Sequence, residues 1–262
     1  MKSIFLLIGA MIVQFGIAGT TLSQDNPVKA RPDERRGPPN FFAVGAAAAS
    51  GQVEFTGGSF QVNAFPFINF RQGRFHSNQA GVGFEAIKKN GYRLSFVTEV
   101  GINEQNRNDV NRLNDMEDLN LPIYGGISLD VTASDFVLTG TLQRELGFAS
   151  EGWRAATKIS RPYNINRNLS LTPSVALHWF DDRLTNYLYG VPTINSTADR
   201  GFYRADDSLQ GRASLTTVYR LSERITLIGA GTLTLYASSI HDSPIVDRRT
   251  ALSMFLAISY SL

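Results

Sequence analysis

Residues Thr250–Leu262 read T-A-L-S-M-F-L-A-I-S-Y-S-L, and the alternation within this stretch decides the fold class. From Leu252 onward, its even-numbered positions are all apolar: Leu252, Met254, Leu256, Ile258, Tyr260 and Leu262. Its odd-numbered positions are mostly small or polar, with Phe255 as the exception. Successive side chains of a strand point to opposite faces, so the pattern predicts a strand with one apolar face. Soluble sandwiches also contain such strands, so the rest of the chain must decide between a sandwich and a barrel.

Ten further segments repeat this two-faced pattern. They lie near residues 41–54, 59–70, 74–87, 92–101, 121–132, 136–146, 153–163, 169–180, 208–221 and 225–236. Most are longer than the roughly five or six residues of an ordinary strand. They match the roughly 9 to 11 residues that a tilted strand needs to cross a bilayer. The less apolar face carries full charges in mid-strand, namely Arg93, Glu99, Asp130, Arg154, Lys158 and Arg212. A wet barrel interior accommodates such charges, whereas a sandwich core does not.

The connections between segments alternate in length when they are followed back from the C-terminus. Outer connections are assigned at Ser238–Arg249, Asp181–Asp207, Phe148–Gly152 and Ile102–Asn120, and turns at Ser222–Arg224, Asn164–Asn168, Ala133–Asp135 and Lys88–Gly91. Outer-membrane barrels have long outer loops and short periplasmic turns. Eleven segments are visible, but single-chain bacterial barrels have even strand numbers. We therefore predict an all-β transmembrane antiparallel up-and-down β-barrel of 12 strands, with one of the first three segments divided, for example at Ser77–Ala80. Ten strands follow instead if the first segment does not span.

The region before the barrel has two parts. Lys2, the apolar run Ile4–Phe15 and the small residues Ala18 and Ser23 predict a secretory signal peptide over 1–23, cleaved near 18 or 23. Residues 24–40 are rich in proline and charge and predict a disordered periplasmic linker, followed by the barrel over 41–262. The chain has no cysteine, so neither disulfides nor thiol chemistry is expected. The net charge of +2 is small and interspersed, so nucleic acid is not indicated as a partner.

Large aromatic residues on the apolar faces predict contacts with the membrane interface. These membrane-interface anchors are Trp153, Trp179, Tyr163, Tyr219 and Tyr260. Tryptophan and tyrosine are enriched where the hydrocarbon layer meets water, so outer-membrane lipid is an expected partner.

No constellation in the sequence has the spacing of a catalytic or metal site. His76, His178 and His241 lie far apart, and four acidic residues near the long loop, Asp181, Asp182, Asp206 and Asp207, are expected to be solvated rather than to bind a divalent cation. His76 and Ser77 are adjacent, so on a strand they point to opposite faces and cannot act as base and nucleophile. His241 and Asp242 are interpreted as part of a rigid outer loop. We expect no catalytic residue, no cofactor and no metal, and hence no enzyme.

Six phrases resemble the MipA/OmpV family. They are F-P-F-I-N-F-R-Q-G-R-F at Phe65–Phe75, G-Y-R-L-S-F at Gly91–Phe96, R-L-N-D-M-E-D-L at Arg112–Leu119, L-T-P-S-V-A-L-H-W-F-D-D at Leu171–Asp182, Y-L-Y-G-V at Tyr187–Val191 and D-S-P-I-V at Asp242–Val246. The chain departs from the usual family ending because it closes on Leu262 rather than on an aromatic residue. The resemblance implies a protein of the Gram-negative outer membrane that scaffolds peptidoglycan enzymes, a lytic transglycosylase and a murein synthase. The alternatives are a narrow small-solute channel or an adhesin and, as a weaker one, a lipid A-modifying enzyme.

Overall fold

The structure, a computed structural model, describes residues 40–78, 81–101, 107–147 and 149–262. The predicted signal peptide and the predicted linker up to residue 39 lie outside the described residues. The strands are β1 Phe41–Gln52, β2 Phe60–Gln72, β3 Phe75–Asn78, β4 Gly81–Lys89, β5 Tyr92–Val100, β6 Ile123–Ala133, β7 Phe136–Glu145, β8 Trp153–Ser160, β9 Tyr163–Asn164, β10 Leu169–Phe180, β11 Ser208–Arg220, β12 Ile225–Tyr236 and β13 Thr250–Ser261.

The strands form one antiparallel sheet that closes on itself. Each long strand pairs with its neighbours in the chain, and β1 pairs with both β2 and β13, which joins the two ends of the sheet. The short strand β9 pairs only with β10, beside β8, so β8 and β9 are two parts of one wall strand. The result is a closed barrel of 12 strands, which confirms the predicted fold class and number.

The twelfth strand comes from a division of the third predicted segment. β3 and β4 pair in antiparallel register from Asn78 opposite Gly81 to Phe75 opposite Phe84. The chain therefore reverses within the segment predicted at 74–87, at the position proposed for the break. β3 has only 4 residues, which is why its alternation merges with that of β4 in the sequence.

The segment predicted at 153–163 is interrupted at Arg161 and Pro162, where both neighbouring wall strands carry a proline. Ser160, the last residue of β8, pairs with Ser174, and the residue before Ser174 in β10 is Pro173. Neither Pro162 nor Pro173 has an N–H to donate to a ladder. The Arg161 N–H donates to the Pro173 carbonyl oxygen at 3.2 Å, and pairing resumes in β9.

Two short helices lie in the described parts of the outer loops. They are α1 Asp182–Tyr189 and α2 Ser238–His241, and single 3-10 turns occur at Asn111–Leu113 and Thr193–Asn195. α1 begins after Asp181, whose carboxylate accepts a hydrogen bond from the Leu184 N–H at 2.9 Å. Its 8 residues are too few for a clear helical period in the sequence. Among the described residues, no helix has the length and apolar character needed to cross a membrane.

The two faces of the final strand differ sharply in exposure, as its alternation predicts. Leu256 is 67% exposed on the outside of the barrel, whereas Phe255 is 2% exposed on the inside. The same outward apolar face recurs around the wall, for example at Leu177 and Leu215. In an outer-membrane barrel this continuous apolar band faces lipid.

Candidate functional site in the lumen and its outer cap

The lumen has one charged side, which we call the charged wall and define as the inward side chains of β5–β8, β10 and β11. Its ionisable members include Arg93, Glu99, Asp130, Arg154, Lys158, His178 and Arg212. They point inward because each alternates with an exposed apolar neighbour, as Lys158 does with Ile159. The charges predicted for a wet interior therefore lie in the lumen.

Arg93 and Asp130 form a pair between neighbouring strands. They are directly opposite in the register of β5 and β6, and the Arg93 Nε and Nη2 atoms donate to Asp130 Oδ2 at 2.9 and 2.7 Å. The Thr139 hydroxyl of β7 donates to the other carboxylate oxygen at 2.6 Å. Both carboxylate oxygens of Asp130 thus have partners on adjacent strands.

Arg154 and Glu99 form a second pair, which bridges strands that are not neighbours. Arg154 Nη2 lies 2.7 Å from Glu99 Oε2, and both side chains are less than 10% exposed. Gln143 lies between them, donating to Glu99 at 3.1 Å and accepting from Arg154 Nε at 3.0 Å. The guanidinium also stacks 3.5 Å from the ring centroid of Tyr124. Inward charges of opposite sign therefore pair inside the barrel.

The opposite side of the lumen is apolar, and the sequence did not reveal it. We call it the apolar wall and define it as a cluster of inward apolar side chains from β1, β2, β11, β12 and β13. It does not include Arg71 near the end of β2, whose guanidinium lies 3.6 Å from the Glu85 carboxylate. Its buried cluster consists of Ala47, Ala49, Phe65, Val218, Ile228, Ala230, Phe255 and Ala257. The Phe255 ring lies 6.3 Å from that of Phe65 and 6.1 Å from that of Phe67, measured between centroids. Phe255 lies on the face of its strand where the other residues are small or polar, and this exception was the sequence signal for the apolar wall.

The outer loops pack together into a cap over the outer end of the barrel. The cap core consists of Val53, Phe55, Val110, Leu113, Met116, Leu119, Tyr124, Phe180, Leu184, Leu188, Tyr189, Val191, Ile240, Ile245 and Val246. Apart from Tyr124 of β6 and Phe180 of β10, these residues come from the connections after β1, β5, β10 and β12, which leave the barrel at well-separated points of its circumference. Loops that start so far apart meet only by converging above the lumen.

Tyr189 is the point where the cap joins the lumen. Its ring packs against Phe55 with centroids 5.7 Å apart, and its carbonyl oxygen accepts from the Ser243 hydroxyl at 2.6 Å. Its hydroxyl donates to Glu54 Oε1 at 3.2 Å and accepts from Gln210 Nε2 at 3.4 Å. Burial raises the pKa of the Glu54 carboxyl above its ordinary value.

An ion pair links two loops at the side of the cap. The Arg200 guanidinium donates to both oxygens of Asp115, at 3.0 and 2.5 Å. The Arg200 side chain is 9% exposed and that of Asp115 is 59% exposed. The hydrogen bonds from Arg200 lower the pKa of the Asp115 carboxyl, and the same bonds raise the pKa of Arg200.

The predicted interface anchors fall at the two ends of the barrel wall. Trp153 and Trp179 lie at the outer ends of β8 and β10, and Tyr163, Tyr219 and Tyr260 lie at the opposite ends of β9, β11 and β13. Trp153 and the three tyrosines are 40–42% exposed, and Trp179 is half-buried.

Of the residues weighed as enzymatic sites, His76 and Ser77 contact different partners, whereas His241 and Asp242 contact each other. The Ser77 hydroxyl donates to Asn69 Oδ1 at 2.6 Å, while the His76 ring lies against Gly83. His241 Nδ1 lies 2.8 Å from Asp242 Oδ1 in the cap. Asp181 is used as the helix cap, and no group of three or more His, Asp or Glu side chains with metal-binding geometry occurs in the part of the chain that the structure describes.

The end of the barrel opposite the cap carries mostly basic residues, and we call it the basic rim. Its exposed or half-exposed cations are Arg74, Lys88, Lys89, Arg161, Arg167, Arg220 and Arg224. The acidic residues of the same turns are Asp135 and Glu223, of which Asp135 pairs with Arg161 at 2.7 Å. The short turns lie at this end, which identifies it as periplasmic.

A closed 12-stranded barrel with an apolar outer band, short periplasmic turns and long outer loops defines an outer-membrane β-barrel protein. The sequence matches the family described as "MltA-interacting protein MipA" over residues 44–262. The chain belongs to this MipA family, as its phrases predicted.

Individual proteins similar to this chain carry outer-membrane names. The outer membrane protein YiaT of Escherichia coli strain K12 is 22% identical over 222 residues, covering 84% of this chain and 90% of YiaT. The 24 kDa outer membrane protein of Pasteurella multocida strain Pm70 is 26% identical over 149 residues, covering 55% of this chain and 58% of that protein. Among solved structures, the COG4313 outer membrane channel from Pseudomonas putida F1 aligns with a TM-score of 0.42 at 9% identity, covering 89% of this chain and 100% of that one.

Proposed function

We propose that this protein is an outer-membrane binding protein that holds murein-processing enzymes, a lytic transglycosylase and a murein synthase, at the periplasmic face. Membership in a family described as MltA-interacting carries this assignment. Murein lies on the periplasmic side of the outer membrane, so a partner that acts on it meets the turns of the barrel rather than the cap.

The basic rim supports a docking role for the periplasmic face. Among the described residues, the basic rim has seven cations and two acidic residues, and one of the two, Asp135, is already paired with Arg161. An excess of one charge around a surface attracts a complementary partner and speeds the encounter, with an effect that salt weakens. An acidic patch on the partner enzyme is the complementary surface.

The cap favours a binding protein over the second hypothesis from the sequence, a narrow channel. An open channel needs a passage from the outer surface into the lumen. Here the residues of the cap core pack against one another above the barrel. The Tyr189 hydroxyl donates to Glu54 and accepts from Gln210, which extends the contacts of the cap into the lumen. Planar-bilayer recordings with steady conductance through the wild-type protein would restore the channel.

The binding role is tested with purified, detergent-solubilised barrel and a purified lytic transglycosylase. The variant Lys88→Glu/Lys89→Glu/Arg167→Glu reverses three exposed rim charges, and we expect it to weaken binding at least tenfold and to flatten its salt dependence. The matched control, Arg183→Glu, reverses an exposed charge at the cap and is expected to leave affinity within twofold. If the wild-type protein binds neither a transglycosylase nor a murein synthase, the role is wrong.

The aromatic residues at the two ends of the wall are proposed as the interface anchors that the sequence predicted. Their separation into a tryptophan pair at the outer end and three tyrosines at the periplasmic end supports two girdles. Fluorescence quenching by lipids brominated at defined depths tests the outer girdle, since Trp153 and Trp179 are the two tryptophans of the chain. Quenching strongest at the bilayer centre would contradict it.

A further inference from the structure

One sector of the charged wall brings three basic side chains together. Lys158 on β8 and Arg212 on β11 lie directly opposite Ala176 of β10, one on each side, in the register of the sheet. His178 is the next inward residue of β10. The small side chain of Ala176 therefore leaves space in the lumen between the lysine and the arginine.

These residues line a cavity inside the barrel. Its lining includes Lys158, His178, Arg212 and Ala176, with the hydroxyls of Ser174 and Ser214. The cavity has a volume of about 80 Å³. One water molecule needs about 10–15 Å³ on the same measure, so the space holds several waters or one small polyatomic ion.

The carboxylates around the cavity already have partners. Glu99 is bound by Arg154 and Gln143, and Asp130 is bound by Arg93 and Thr139. Within the described ranges, neither Lys158 nor Arg212 has a carboxylate within the 4.0 Å of an ion pair. From beyond that distance, Glu54 influences Arg212 electrostatically, and Asp130 and Glu99 influence Lys158. Glu54 is itself held by the Tyr189 hydroxyl.

Arg212 also has unused hydrogen-bonding capacity. Its Nη2 donates to Gln210 Oε1 at 3.1 Å, but its Nε is buried and has no partner among the described residues. A buried donor without an acceptor and a cation without a counter-ion both cost free energy, and an anion in the cavity relieves both costs. Guanidinium and ammonium groups with nearby hydroxyls are the donors that carboxylates and phosphates bind.

We propose that the lumen contains a binding site for a small oxyanion, with Lys158 and Arg212 as its cationic ligands, His178 as a ring N–H donor and Ser174 as a hydroxyl donor. The site lies below the cap and away from the basic rim, so it is independent of enzyme docking. A carboxylate and a phosphate share the required chemistry, namely a compact anion with several acceptor oxygens.

The test is isothermal titration calorimetry of the folded protein in zwitterionic detergent and chloride buffer, with inorganic phosphate in one arm and acetate in the other. We expect saturable 1:1 binding in at least one arm, and the tighter arm identifies the preferred group. Lys158→Met and Arg212→Met are each expected to weaken that binding at least tenfold.

Arg220→Met is the matched control, because it removes a cation from the periplasmic end of the same strand as Arg212. It is expected to leave binding within twofold. Heat-modifiable mobility on a denaturing gel verifies that each variant is folded. The site is refuted if the wild-type protein shows no saturable binding of either anion, a result that needs no variant. It is also refuted if the control loses as much affinity as the cavity variants.

Discussion

The two walls of the lumen use the same strand alternation but are held together by different interactions. On the apolar wall, alanines let the rings of Phe65, Phe67 and Phe255 meet inside the barrel, as in the core of a soluble protein. On the charged wall, the side chains are joined by ion pairs such as Arg154 with Glu99. The inward face of this barrel is therefore not uniformly polar. Aromatic packing stabilises the apolar wall, and ion pairs join the side chains of the charged wall.

The largest expected effect comes from emptying the apolar wall. Phe255→Ala is expected to lower the free energy of unfolding by about 3–5 kcal/mol, because it removes a buried ring and leaves a cavity among alanines that cannot close it. Urea unfolding in lipid vesicles, followed by tryptophan fluorescence, measures this loss. Leu256→Ala is the control, since Leu256 is the adjacent outward residue, 67% exposed. Equal losses in the two variants would mean that Phe255 is not part of a packed core.

The next effect comes from breaking an ion pair of the charged wall. Glu99→Gln is expected to cost about 3 kcal/mol of unfolding free energy, because Arg154 then remains buried without its carboxylate. The double variant Glu99→Gln/Arg154→Met is expected to recover at least half of that loss. The same vesicle assay applies.

Asp135→Asn serves as the control for the charged wall, because it breaks an ion pair of the same length whose side chains are 38% and 62% exposed. Exposed pairs contribute little, so this variant is expected to unfold almost as the wild type does. A cost as large as that of Glu99→Gln would show that burial does not distinguish the lumen pair.

A smaller effect is expected at the seam where β1 meets β13 in the apolar wall. A Cβ at Gly45 would lie 1.8 Å from the Ile258 carbonyl oxygen, so the backbones must move apart in Gly45→Ala. We expect a loss of about 1–3 kcal/mol of unfolding free energy. Gly231→Ala, on the neighbouring β12, has no atom within 4 Å of its new methyl group and should change little. If both variants are neutral, the seam is looser than described.

The smallest effect is expected at the ion pair of the cap, whose acidic partner is exposed. The lowered pKa of Asp115 means that its contribution to stability is complete above its ordinary value of 3.8 and is lost as the pH falls through the lowered pKa. The difference in unfolding midpoint between the wild type and Asp115→Asn should therefore be present at neutral pH and vanish in strong acid. Asp118→Asn, an exposed carboxylate of the same loop, should show no such difference. A pH-independent difference would contradict the role of the Asp115 charge.

The alternation of single strands was sufficient to predict most of the wall. The segment 169–180 matches β10 at both ends, and even the reversal near Ser77–Ala80 was indicated by the odd strand count. The helix α1 was not predicted because it is short and because its apolar residues, Leu184 and Leu188, are buried by residues of the other loops in the cap core. Pro162 was a sequence signal for the interruption after Ser160, whereas the strand register was needed to place Pro173 beside it.

The candidate site was predictable by residue type but not by arrangement. The alternation of their strands assigned Arg154, Lys158 and Arg212 to the inner face. Alternation does not tell which carboxylate each of these side chains contacts. Arg154 reaches Glu99 across two intervening strands. Lys158 and Arg212 flank Ala176, and neither has a carboxylate of the described residues within ion-pair distance. These contacts join residues distant in the chain, so they depend on how the strands are staggered around the barrel.

By itself, the sequence determined the class of protein, the span of most strands, the end of the barrel at which each connection lies and the family. These properties follow from side-chain periodicity, segment length and local motifs, all of which act between residues close in the chain. The closed tertiary structure decided the division of the lumen into an apolar and a charged wall, the convergence of the outer loops into a cap, and the cavity bounded by Lys158 and Arg212. The reason is that barrel closure sets the register between strands and so determines which inward side chains share a space.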